Sequence, residues 1–262
     1  MKFLFISLII FLLVSTCDYR HKGSFDVDNL VKKMTEGSGG DSAIASIKTH
    51  VSKYVRASNS EVQEISVVTF KRPAKIRFDI FDNNNVLLFT IATNGGEGWV
   101  YLPNKGVFPA HQKKTNEMIS WAEHWIDEWR KYKDIDLRIE YQGDVHIETR
   151  PCHKFKVIDR FGIESFWYVD KDTYLMARLD YPNIDEFTGE SQGRIVNDLI
   201  GFSNIGIIFP TKEVSSDGTN NNMINWTNNV SLNDSIFELP SINVSSTGEY
   251  LHRIAKAGMT VD

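Results

Sequence analysis

The stretch Glu64–Pro103, EISVVTFKRPAKIRFDIFDNNNVLLFTIATNGGEGWVYLP, decides the fold. Ile76, Phe78 and Ile80 alternate with Arg77 and Asp79, the period of a strand with one dry and one wet face. Lys71-Arg72-Pro73 ends the strand before it, because proline lacks the donor that a central ladder needs. Asp82-Asn83-Asn84-Asn85 turns the chain, since Asn and Asp accept left-handed backbone and bond their own loop. A second run, Val86 to Thr93, carries Leu87, Phe89 and Ile91 and stops at Asn94-Gly95-Gly96. Trp99 to Pro103 opens and closes a third strand.

Outward from this stretch, the order of Lys71-Arg72-Pro73, Asn94-Gly95, Trp99, Tyr101 and Pro103 resembles the periplasmic lipoprotein-carrier family, LolA/LolB-like. A second match lies at Gly206-Ile207-Ile208-Phe209-Pro210 and at Asn233-Asp234-Ser235-Ile236-Phe237-Glu238-Leu239-Pro240. The resemblance spans residues 26–240. It implies a mainly β (α+β) fold: a strongly curved antiparallel half-barrel sheet closed by amphipathic helices. It also implies a non-enzymatic carrier or receptor for acyl chains of lipoproteins or another amphiphile, with Arg72 hydrogen-bonding the lid. A sensor or interaction module that binds a protein partner on the same fold is the alternative. HExxH, GxSxG and paired-cysteine metal motifs are absent from the sequence, so neither a hydrolase nor any cofactor is expected.

Bulk properties agree with one β-rich domain. The chain has 262 residues, 42% of them hydrophobic and 24% charged, enough for a large core. A formal charge of −5 argues against a general nucleic-acid partner.

Residues 1–17, MKFLFISLIIFLLVSTC, read as an export signal: Lys2, an apolar run from Phe3 to Val14, then small residues before Cys17. The layout resembles a bacterial lipobox, with Thr16 where Gly, Ala or Ser is usual. Acylation of Cys17 would anchor the protein on the periplasmic face of the inner or the outer membrane. An ordinary secretory signal is the other reading. Residues 18–25 form a tether, and 241–262 a tail in which Ser246 to Glu249 has capping-box spacing. Cys152 is then without a cysteine partner and reads as a small buried hydrophobe, because its neighbour His153 points to the opposite strand face.

Two helices are expected. Asp26 caps the first, whose Val27, Leu30, Val31 and Met34 share a face. Residues 43–57 then alternate as a first strand, with a helix as the other reading, and His50 falls on the solvent face. The second helix, 115–133, carries Met118, Trp121, Ala122, Trp125, Ile126 and Trp129 on one side, and Glu123, His124 and Asp127 on its polar side. Two readings of the tryptophan stripe stand: core covering the sheet, or a lid over a hollow. In the second case Ile76, Phe78, Ile80, Leu87, Phe89, Ile91, Trp99, Trp121, Trp125 and Trp129 are the candidates for a lipid-cavity lining. Further strands run from Leu137 to Tyr181, with Leu175, Ala177 and Leu179 expected on an inner face.

Overall fold

In the computed structural model, residues 25–59, 61–126 and 128–240 are described. Residues 1–24, Cys17 among them, and those beyond 240 lie outside them. The described residues build one antiparallel sheet of 13 strands. The first meander is β1 (Thr49–Ser58), β2 (Glu61–Lys71), β3 (Lys75–Asp82), β4 (Leu87–Thr93), β5 (Gly98–Leu102) and β6 (Gly106–Pro109). The second is β7 (Arg138–Ile147), β8 (Arg150–Ile158), β9 (Glu164–Asp170), β10 (Met176–Ile184), β11 (Ser191–Asn204), β12 (Ile208–Ser215) and β13 (Asn220–Asn228). Pairing of β13 with β1 joins the two, which leaves β6 and β7 as the edges of an open sheet.

Three helices accompany the sheet: α1 (Val27–Gly37), α2 (Asp41–Ser46) and α3 (Gln112–His124). Asp26 caps α1 as its spacing predicts, with Oδ1 accepting from the Asn29 N–H at 2.9 Å. Residues 41–46 are helical rather than the start of a strand. After Gly39 and Gly40, both at positive φ, Asp41 opens one turn and β1 begins only at Thr49.

The sheet wraps. The backbone N–H of His111, after β6, donates to the Glu186 carbonyl in the β10–β11 loop at 2.8 Å, and Phe108 meets Phe187 edge to face. That join needs Gly189: its φ is +69°, and a Cβ there would stand 2.0 Å from the His111 ring. Strands far apart in the sheet order therefore meet, and α3 lies on the face they enclose, in contact with β3, β4, β5 and β10.

The inner face is packed unequally. In the half formed by β1 to β5, Ile76 and Ile91 join Ile44, Phe70, Val100, Met118, Ile119, Ala122 and Ile126 in one buried cluster. A second cluster ties α1 to β7, β8 and β9 through Leu30, Met34, Trp129, Phe155 and Trp167. Cys152 is fully buried, on the outer face beside Ile147, Tyr168 and Ala177. Ala177 departs from the expected inner row because a bulge between Met176 and Arg178 inserts a residue and flips the alternation; Leu179 remains inside.

On the outer face, residues 231–238 cross β3, β4 and β5 as a strap. Arg77 and Asp79 lie buried beneath it in a two-pronged ion pair of 2.8 and 2.7 Å, and the Thr90 hydroxyl donates to Asp79 at 2.6 Å. Arg77 also donates to the Ile236 carbonyl at 3.1 Å, and the Trp99 indole to that of Phe237 at 2.9 Å. Lys71 and Lys75 hold Asp234 at 2.6 and 3.2 Å. Lys71 and Trp99 of the first group that carries the sequence resemblance thus meet residues 234–237 of the second on this outer surface.

Candidate functional site

Helix α3 is buried on two sides, because it sits between the two arms of the sheet. Met118, Ile119, Ala122 and Ile126 press into the β1–β5 cluster. Glu117, Ser120, Trp121, His124 and Trp125, spaced three and four apart, face a cavity of about 160 Å³ on the other side. Glu123 is only 8% exposed, paired with Arg160 of the β8–β9 turn at 2.7 Å, and His124, expected on a polar side, has its ring against Trp167. The helix also ends earlier than its pattern suggests: after His124 the chain turns into a 3-10 segment, Glu128–Lys131, which carries Trp129.

The opposite wall of the cavity comes from β8 to β12: Val157, Trp167, Leu179, Tyr181, Leu199, Phe209 and Glu213 among others. Trp121 bridges the arms, with Phe78 at 6.4 Å on one side and Tyr181 at 4.5 Å on the other. Trp125 meets Phe78 and Phe209, and Trp129 meets Trp167. Such edge-on ring contacts are worth roughly 0.5–1.5 kcal/mol each beyond area burial.

Of the ten candidates for a lining, Trp121, Trp125 and Trp129 border this cavity. Ile76, Phe78, Ile80, Leu87, Phe89 and Ile91 do not. Ile76 and Ile91 are filled core, Phe78 and Phe89 pack against it, Ile80 is buried further along the same row, and Leu87 lies beyond a bulge that pairs it with Phe81 rather than Ile80. Trp99 points the other way, under the outer strap. The rows thus divide between a filled half and a hollow half. On the opposite wall, Leu175 and Leu179 stand where an inner face was expected, and Ile208, Phe209 and Pro210 come from the stretch that carries the resemblance.

Arg72 occupies the β2–β3 corner. Its Nε donates to the Ile47 carbonyl at 2.6 Å, and Nη2 to those of Ile44 at 3.0 Å and Ile126 at 3.2 Å. One guanidinium thus serves the open carbonyls at the end of α2 and just past α3, the groups that a helix terminus leaves without partners. His50 is not on the solvent face. It is fully buried beside Phe209, with Nδ1 2.7 Å from Asn228 Oδ1.

Several polar groups reach the cavity. Burial raises the Glu213 carboxyl to about 7 and lowers the His124 imidazole to about 4. Burial also raises Glu117, against the pull of Lys114 at 2.7 Å, and lifts the Tyr181 hydroxyl well above its ordinary value. Asn197 Nδ2 donates to Glu213 at 3.1 Å. Water-excluding rings with a few polar groups placed among them suit an amphiphile.

No family model and no curated protein sequence matches the chain. Solved structures do. A DUF1329 family protein from Desulfovibrio piger superposes with a TM-score of 0.51 at 16% identity, over 80% of this chain and 95% of that one. A LolA superfamily protein from Nitrosomonas europaea gives 0.51 at 12% identity, over 80% and 96%. The order of the strands, the helix laid across their inner face and these superpositions agree, and the chain has the fold of the LolA superfamily.

Proposed function

We propose that this protein is a non-enzymatic carrier or receptor that shields an acyl chain against α3, held in a bacterial cell envelope by lipid on Cys17. The observation that carries the reading is the 160 Å³ cavity walled by Trp121, Trp125, Trp129 and Trp167. Its volume lies below the ~300–1,000 Å³ of typical ligand pockets. A chain end fits the cavity as it stands, and a longer chain enters when α3 swings off the β8–β12 wall. Arg72 governs that swing, because its guanidinium holds the carbonyl of Ile126 at the end of the helix.

Binding inside such a wall is non-directional and grows with apolar area covered. A homologous series of alkyl alcohols, followed by tryptophan emission, should gain about 0.8 kcal/mol, roughly fourfold in affinity, per methylene until the space is full. Affinity that does not depend on chain length would retire the carrier and leave the interaction module. The anchor has its own check. Cys17→Ser should accumulate as an uncleaved precursor, and a cleaved, soluble Cys17→Ser product would exclude lipidation; one acyl chain holds only marginally, so two or three are required.

A further inference from the structure

Three carboxyl groups border the cavity, from Glu117, Asp159 and Glu213, and no lysine or arginine does so among the described residues. The single imidazole there, His124, is kept neutral by burial. Lys114, the nearest cation to Glu117, is already engaged with it at 2.7 Å.

Asp159 is the most telling of the three. Its Oδ1 accepts the backbone N–H groups of Phe161 at 2.9 Å and Ile163 at 2.8 Å, which shapes the β8–β9 turn. Its Oδ2 is buried and has no hydrogen-bond partner among the described residues, in a side chain whose residue is 8% exposed. A buried carboxylate oxygen without a donor is costly. Glu213, which borders the same cavity, has Asn197 as a donor and further lone pairs beyond that bond. The indole N–H groups of Trp125 and Trp129 also lack partners among the described residues, but two neutral dipoles do not offset the buried, unpartnered oxygen of Asp159.

We infer that the cavity selects an amphiphile whose enclosed polar group is an ammonium, and that it turns away free carboxylates and phosphates. The inference rests on the carrier reading and narrows its cargo. An ammonium supplies three donors and positive charge to a carboxyl of this wall, Asp159 Oδ2 or Glu213. A hydroxyl supplies one donor. A carboxylate supplies none and adds like charge where water does not screen it.

The test uses an alkylamine, an alcohol and a carboxylate of one chain length, each below its micelle concentration, with tryptophan emission as the signal. The amine should bind about tenfold more tightly than the alcohol, and the carboxylate should be weakest. Asp159→Asn keeps Oδ1 for the turn and Glu213→Gln keeps shape; each should bring the amine close to the alcohol and leave the alcohol unchanged. The wild-type series decides the matter even where a variant does not fold. A carboxylate that binds as tightly as the amine overturns the inference. Equal binding of all three leaves the carrier standing without this selectivity, and binding of none removes both.

Discussion

At the scale of single residues, Glu213 and His124 face one cavity and are displaced in opposite directions by the same burial. Glu213 stays protonated in the fold until pH approaches about 7, whereas in the unfolded chain it ionises near 4.5. It therefore removes stability as pH rises across that window, by up to roughly 3 kcal/mol. His124 stays neutral down to about 4, whereas the unfolded imidazole takes a proton near 6.5. Its contribution is present above 6.5 and is lost as pH falls. The two slopes nearly cancel in the wild type. Urea melts of Glu213→Gln should show stability that climbs steeply from pH 4 to 6.5, and His124→Phe should show stability that declines from 4.5 to 7. Parallel profiles in all three proteins would mean that neither group is held in the state described. Neither residue stood out in the sequence as a titrating group. His124 read as a polar-face residue because a one-faced helix was assumed, and Glu213 lies on a strand whose inward turn depends on β12 pairing with β13. Cys152, by contrast, was legible, since strand alternation alone separates it from His153.

Among the elements, α3 is where reading and structure differ most, and the reason is geometric. A helical wheel identifies an apolar stripe but does not count how many neighbours a helix has. Met118, Ile119, Ala122 and Ile126 satisfy one neighbour, and the stripe from Glu117 to Trp125 faces the other. The strands of Glu64–Pro103 were legible because their period is 2 and their turns are marked by Asn, Gly and Pro. Ala177 was not, because a bulge leaves no reliable mark in sequence. Arg72 ties these elements together, and its role in the movement of α3 can be measured. Arg72→Leu removes the guanidinium from the carbonyls of Ile44, Ile47 and Ile126, of which Ile44 keeps the Ile47 N–H, and should lower stability by about 2–3 kcal/mol. It should also speed release of a bound alcohol several-fold. Arg72→Lys should rescue little, since an ammonium does not span the three carbonyls as a planar fork does. Ile147→Ala, which loosens the outer-face cluster instead, should leave the release rate alone. Equal release from Arg72→Leu and wild type would make Arg72 a purely structural tie.

At the scale of the whole molecule, two meanders joined at β1 and β13 form one sheet with a filled half and a hollow half. The curvature follows from contacts between elements remote in sequence, such as His111 with Glu186 and Phe108 with Phe187. No local pattern encodes those pairings, so the sequence resemblance supplied the overall shape and local periodicity supplied only its parts. The inequality of the two halves has a volumetric consequence. A void of 160 Å³ per molecule is about 100 mL per mole, comparable with the upper range of volume decreases on unfolding. Hydrostatic pressure should therefore loosen the wall of β8 to β12 well before the β1–β5 half. High-pressure NMR would show that order in the loss of native amide signals, with residues around Trp167 fading ahead of those around Ile76. A ligand that fills the hollow should raise the pressure needed and make the two halves yield together, so resistance to compression becomes a direct gauge of how completely the cavity is occupied.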